Sequence, residues 1–312
     1  MIWLYALGVS CQKKPPTLLF QSGFERESVM EQSGQNADIT GEDHSVPPPN
    51  DWVSDLEAQS RTGTFGFYYQ GGTTEDRYAD IVEDPTDPGN KVLKFWLKNG
   101  VVPRGSGGLK GRIQAELYQN ADDFNEFYFT FRMYLGQDFA LVKQMEEEVD
   151  YLTLQEFWNN PDWTDEPYAY RVRLNIFKEE GVGNPLYYQV LGQRKNPSSD
   201  QWAHVNKTYP VETGTWWDYL IYYKLGDQQN GRFYFERMAP SGERQVLCDE
   251  TNWTYHPDNP SPRGMRYFTP FKLYTHAETI NFVRENRGIM KIYFDDFKLY
   301  EGKPEYLATS GK

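Results

Sequence analysis

The chain has 312 residues, with 32 Lys and Arg against 45 Asp and Glu, a formal charge of −13. No basic run exceeds two residues, which excludes generic binding to nucleic-acid phosphates and to anionic membrane surfaces. Two cysteines exclude a disulfide framework, and 9 Trp, 23 Tyr and 19 Phe suit a half-wet surface, because Tyr and Trp join an apolar body to a polar tip.

Met1 to Ser10 is an apolar run too short to cross a bilayer. It ends in a small residue before Cys11, Gln12, Lys13 and Lys14. This stretch resembles the end of a bacterial lipoprotein signal peptide. The resemblance implies lipidation of Cys11 and export to the periplasm or cell surface of a Gram-negative bacterium, with membrane contact only through the lipid. Residues 1–16 are therefore expected to be a signal remnant and tether, and residues 17–312 a single domain. No repeat appears at periods of 20–50 residues. Cys248 reads as a small buried strand residue.

From Leu18 onward, runs rich in Tyr, Phe, Val, Ile and Thr alternate with Gly, Pro, Asn and Asp clusters. The pattern predicts strands over Lys91–Leu97, Arg112–Tyr118, Glu126–Tyr134, Tyr151–Trp158, Tyr170–Lys178, Leu186–Arg194, Trp216–Lys224, Arg232–Arg237, Phe271–Tyr274 and Met290–Tyr300. Helix is expected only at Asp138–Val149 and His276–Asn286, the latter stopping near Gly288. Many strands with one or two short helices predict an all-β antiparallel sandwich. A jelly roll would place the early segment 18–25 beside the last strand. Glu25, Asp295 and Asp296 would then approach, and hard oxygen ligands at that density suit a structural Ca²⁺. The alternative is a set of edge carboxylates that discourage edge pairing.

Strand alternation decides which residues share a face. Arg112, Gln114, Glu116 and Tyr118 point opposite to Ile113, Ala115 and Leu117. In the next strand Tyr151, Thr153, Gln155, Phe157 and Asn159 alternate with Leu152, Leu154, Glu156 and Trp158. Glu156 sits among apolar neighbours, and a bulge near Gln155 would re-aim it. Arg171, Arg173, Asn175 and Phe177 share a third face, and Tyr187, Gln189 and Gln193 a fourth, opposite Tyr188 and Arg194. Such faces on a curved sheet make a groove for an extended polar polymer, with rings stacking on sugars. A solvated surface with Arg–Glu cross-pairs is the plainer reading.

The order of these motifs resembles the bacterial polysaccharide lyases of the concanavalin A-like jelly-roll class, in the group of heparin lyase I and the alginate and glucuronan lyases. The likeness covers roughly residues 90–300. Arg112 with Ala115, Glu116 and Leu117 stands in an R-x-E-L strand. LQEFWN (154–159) occupies the place of a Gln-Trp-His strand, with Phe157, Trp158 and Asn159 where the His is expected. GTWWDYLIYYK (214–224) stands for a G-x-W strand ending in Lys, and FKLYTH (271–276) for a K-x-G-x-Y strand, with His276 where the Tyr falls. The resemblance implies a concanavalin A-like jelly roll that acts on a polysaccharide or oligosaccharide, as a monomer and without a catalytic cofactor.

Elimination from a uronate needs the carboxylate neutralised, a base for the C5 proton and an acid for the leaving oxygen. The expected catalytic residues are Gln155, Lys272, Tyr274, His276 and Glu116. The expected sugar-binding residues are Arg112, Gln114, Tyr118, Trp158, Asn159, Arg171, Arg173, Tyr188 and Arg194. Two alternatives stay open: a non-catalytic glycan-binding protein on the same fold, and a glycosidase using Glu116 with Glu148 or Asp150. Lys272, Tyr274 and His276 lining one groove with Gln155 and Glu116 would favour an enzyme.

Overall fold

The computed structural model describes residues 15–104, 107–160, 167–195 and 198–309. Cys11 and the apolar run before it lie outside the described residues. In chain order the strands are β1 (Thr17–Ser22), β2 (Val29–Ser33), β3 (Asn36–Thr40), β4 (Phe65–Tyr69), β5 (Arg77–Glu83), β6 (Lys91–Leu97) and β7 (Val102–Pro103). There follow β8 (Leu109–Tyr118), β9 (Glu126–Leu135), β10 (Val149–Trp158), β11 (Tyr170–Lys178), β12 (Leu186–Arg194), β13 (Ser199–Asn206) and β14 (Trp216–Lys224). The last are β15 (Arg232–Met238), β16 (Arg244–Thr251), β17 (Tyr267–Thr269), β18 (Lys272–His276) and β19 (Met290–Glu301). Helices α1 (Ala277–Glu285) and α2 (Glu305–Thr309) are short. The helix expected at Asp138–Val149 is a 3-10 segment over Gln137–Gln144, and Val149 already opens β10.

The strands form two antiparallel sheets packed as a jelly-roll β-sandwich. One runs β16-β15-β14-β9-β19-β6-β5, with β1 also on β19. The other runs β13-β12-β11-β10-β17-β8-β4-β3-β2, with β18 lying between β10 and β8 and β7 on β8. The first and last strands do pair, Leu18 facing Tyr300 and Ser22 facing Phe297. Cys248 is buried in β16 and free.

The core between the sheets is aromatic. Phe157 and Phe268 of one sheet stack at 6.0 Å, and Phe157 meets Tyr223 of the other at 5.6 Å. Thirty of the 51 aromatic residues are buried among the described residues. The aromatic surplus is therefore largely core, where such pairs add to plain area burial, and only a minority of it decorates the surface. Gly192 in β12 lets this packing close: a Cβ there would lie 2.1 Å from the Trp202 indole nitrogen.

One irregularity shapes the open face. β10 has a bulge between Thr153 and Gln155 where it pairs with β11. Opposite it, β17 and β18 are interrupted at Pro270, which has no N–H to give a ladder. Gln155 Nε2 donates to the Pro270 carbonyl at 3.1 Å, and the Glu156 N–H donates to Thr269 Oγ1 at 2.8 Å. Past the bulge the parity of β10 is reversed. Glu156 and Trp158 thus join Tyr151 and Thr153 on the open face, whereas Phe157 enters the core. Gln155, opposite core-facing Leu174, is fully buried. Phe157→Ala is expected to cost about 3–5 kcal/mol of stability in denaturant unfolding. Trp158→Ala, on the half-buried open face, should cost markedly less; equal stability losses at the two positions would contradict this register.

Candidate functional site

The outward face of the second sheet collects polar side chains from β8, β18, β10 and β11. Lys272 faces Gln114, Tyr274 faces Arg112 and His276 faces Lys110. Glu156 faces Arg173 on the other side. Four of the five expected catalytic residues (Glu116, Lys272, Tyr274 and His276) therefore share one face. Gln155 does not, because the bulge turns it to the core side, where it stitches β10 to Pro270.

At the centre is a buried ion cluster. Lys272 is 1% exposed and Glu156 2%. Lys272 Nζ donates to Glu156 Oε2, and Arg171 Nη1 donates to Oε1 at 3.0 Å. Arg171 is itself held by Gln193 Oε1 at 2.6 and 2.9 Å. Burial alone would raise the Glu156 carboxyl, but Lys272, Arg171 and Arg173 hold it down at about 2. Burial pushes the Lys272 ammonium down to about 8, against the pull of Glu156 and with Arg112 adding to the shift. Two buried charges are tolerated here because each has its partner.

Toward the C-terminal end of β18 lies a chain of proton-carrying groups. The Tyr274 ring centroid is 5.0 Å from that of Tyr151, with the two rings tilted by 38°. The Tyr151 hydroxyl lies 3.3 Å from His276 Nδ1, to which Arg104 also donates. His276 Nε2 is 2.9 Å from Asp150 Oδ1. These partners assign the imidazole proton to Nε2, so that Nδ1 accepts. The His276 hydrogen bond holds the Asp150 carboxyl below its usual range, and burial with Tyr274 raises the Tyr151 phenol. The ammonium groups of Lys110 and Lys272 each lie 5.3 Å from the Tyr274 ring centroid.

Toward the other end, the Tyr267 hydroxyl donates to Glu116 Oε1 at 3.0 Å and accepts from Gln114 Nε2 at 2.8 Å. Gln114 also donates to Glu116. Burial and Glu116 push the Tyr267 phenol well up, so it stays a donor. Tyr118 and Trp158 flank the Tyr267 ring at 4.9 and 5.1 Å. The Arg112 guanidinium lies 5.1 Å above the Tyr68 ring. Among the described residues, the buried Nε atoms of Arg112 and Arg173 and Oε1 of Gln114 have no hydrogen-bond partner. Buried donors without partners are uncommon, and an open face that carries several is suited to a polar ligand.

Three other expectations are corrected. Tyr188 lies in the core, its hydroxyl 2.6 Å from that of Tyr219 and its ring 5.2 Å from Phe235. Arg194 pairs with core-facing Tyr170 and donates to Ser199 Oγ at 3.1 Å, off the open face. Glu25, Asp295 and Asp296 form no oxygen cage. Glu25 takes the Lys91 N–H at 2.8 Å, while Arg132 lies 3.3 Å from Asp295 and 3.8 Å from Asp296. No metal-holding group of three His, Cys, Asp or Glu occurs among the described residues. Burial and Asp296 still raise the Asp295 carboxyl to about 7. Asn159 is buried just after β10, beyond the row of outward-facing side chains.

The residues that sequence reasoning did not assign to the site are Glu156, Arg104 and Tyr267, while Tyr151 was read only as part of the β10 face and Asp150 only as a glycosidase carboxylate. Of the first three, only Glu156 carried a signal, as a charge in an apolar run beside a suspected bulge. Glu116 and Asp150 do not make a glycosidase pair. Asp150 sits at the level of Lys110, six residues along β8 from Glu116. At about 3.3 Å per residue that is about 20 Å, against the about 5–9.5 Å a glycosidase needs.

No family model matches the chain, and no curated protein matches it. Among solved structures it is similar to an endo-β-1,4-glucuronan lyase from the fungus Trichoderma reesei, at 12% identity and a TM-score of 0.44, covering 76% of this chain and 90% of that one. It is also similar to a marine alginate lyase from Aplysia kurodai, at 10% identity and a TM-score of 0.45, covering 70% and 86%. A third is a β-glucanase catalytic domain from Podospora anserina, at 11% identity and a TM-score of 0.37, covering 76% and 84%. What the open face does chemically follows from this chain's own residues.

Proposed function

We propose that the protein is a polysaccharide lyase that cleaves a uronate-containing glycan by β-elimination. The observation that carries this reading is the placement of Tyr274. It shares one open face with two arginines whose Nε groups have no partner among the described residues, and it is backed by the Tyr151–His276–Asp150 chain. Arg112 and Arg173 pair with the substrate carboxylate, which acidifies the C5 proton. The Tyr274 hydroxyl proton is relayed by the Tyr151 hydroxyl, once the two phenols close to hydrogen-bond distance, to His276 Nδ1, which releases the Arg104 N–H as it is protonated, while Asp150 stabilises the imidazolium. Tyr274 then takes the C5 proton as the C4–C5 double bond forms and the C4–O4 bond breaks. The departing O4 takes that proton from Tyr274, and the proton on His276 returns through Tyr151. No cofactor enters this cycle.

The Lys272–Glu156–Arg171 cluster fixes the floor beneath the reacting sugar and adds positive charge beside it. We further propose that the protein is exported and anchored through Cys11, on the apolar run that precedes it. The test is incubation with alginate, glucuronan, chondroitin, heparin and neutral glycans, following both reducing ends and the ultraviolet absorbance of unsaturated uronate. Absorbance rising with reducing ends is expected for at least one uronate polymer. Reducing ends without absorbance would assign the face to hydrolysis, and binding with neither signal to a lectin.

A further inference from the structure

The open face is divided in charge, and the division bears on which glycan fits it. The strand register runs from Glu31 to its partner Asp38, then over Gly66 to Glu116, and across β17 and β10 to Glu156 and Arg173. Over β2, β3, β4 and β8 lies a cavity of about 360 Å³ lined by Glu31, Asp38, Thr64, Gly66, Glu116 and Tyr118, among others, with no Lys or Arg in its wall. Gly66 opens its floor, since a Cβ there would have only the Ala37 carbonyl oxygen nearby, at 3.7 Å. Burial raises the Asp38 carboxyl and Glu31 adds to the shift, consistent with negative charge already crowded at this end. Beyond His276 a second cavity, of about 430 Å³, is also acid-rich, with Glu147, Glu148, Asp150, Glu278 and Glu285 in its wall against one cation, Arg104. Most of the positive charge lies between them, on Lys110, Arg112, Lys272, Arg171 and Arg173.

Carboxylates only accept hydrogen bonds, so they suit the hydroxyls of an uncharged sugar. They repel a second carboxylate placed among them. The exposed Tyr118 ring gives the cavity over Gly66 a stacking surface. The basic centre suits one uronate, and its acidic flanks disfavour uronates on either side.

Resting on the lyase reading, we infer that the substrate is a mixed glycan in which a uronate is flanked by uncharged sugars, and that homopolymeric uronates are poor substrates. The experiment compares an alternating uronate–neutral polysaccharide with a polyuronate of similar length. Elimination is read by absorbance, and affinity by retardation in gels containing each polymer. The mixed polymer is expected to be better by at least about tenfold in kcat/KM. Glu31→Gln with Asp38→Asn should narrow that gap several-fold by improving the polyuronate, because both residues lie on solvent-facing strands and stand apart from the proton chain. Polyuronate cleaved as fast as the mixed polymer would overturn the inference and leave the lyase reading standing. Selective retention of the mixed polymer with no absorbance from either would support the charge preference and overturn the lyase reading. Equal retention of both would overturn the preference.

Discussion

Tyr274→Phe is expected to lower kcat by about a hundredfold to ten-thousandfold, the range general acid–base groups contribute. KM should change much less, because the ring that packs against Tyr151 is kept and only the hydroxyl is lost. The variant should fold as the parent does, since Tyr274 is only half-buried. His276→Gln acts through Tyr151 and should be milder. It should also alter the pH profile of kcat, which a purely structural role would leave in place. Retention of full activity by Tyr274→Phe would remove the central group of the mechanism.

Glu156→Ala should be the most destabilising single change on the open face, at about 3–5 kcal/mol. It leaves Lys272 and Arg171 buried without their carboxylate. Replacing the pair together, Glu156→Gln with Lys272→Met, should recover part of that loss, because the Lys272 charge is gone while Arg171 keeps its hydrogen bonds to Gln193. Activity should not recover with it, since the positive charge beside Tyr274 is lost. The acid limb gives a second check. The Glu156 carboxyl is depressed to about 2 in the folded state, against about 4.3 in an unfolded chain. Its contribution is therefore fully present above about pH 4.3 and is lost as pH falls toward about 2. Between those limits the parent should lose stability more steeply than Glu156→Gln in denaturant titrations. Lys272 acts on the alkaline side with the opposite trend. Its folded value of about 8 lies below the unfolded about 10.4, so stability attributable to it rises as pH climbs between those values.

Much of the fold was legible because period-2 patterning and turn residues agree locally. Lys91–Leu97, Tyr170–Lys178, Leu186–Arg194 and Trp216–Lys224 form strands at the predicted bounds. The strands left out were short or polar. Val29–Ser33 (VMEQS) and Ser199–Asn206 (SDQWAHVN) carry little apolar alternation, because they lie at the edges of their sheet. The face of β8 could be read directly, since Ile113, Ala115 and Leu117 alternate without interruption. The face of β10 could not be read past Thr153. One extra residue reverses the parity, and sequence does not say at which position a bulge falls. The proton chain was hidden for a different reason. Asp150 and Tyr151 reach His276 across about 125 positions of sequence, through pairing of β10 with β18, and no local pattern encodes that contact. Tyr188 was misplaced by counting its hydroxyl as functional when a second buried hydroxyl, that of Tyr219, already satisfied it.

The most direct test of the central claim is mass spectrometry of the oligosaccharides released from an alternating uronate–neutral glycan in heavy-oxygen water. β-Elimination at Tyr274 predicts products each bearing one unsaturated terminal uronate, lighter by one water than hydrolysis products and free of the label. Saturated products carrying one labelled oxygen per cleavage would contradict the account and assign the face to hydrolysis.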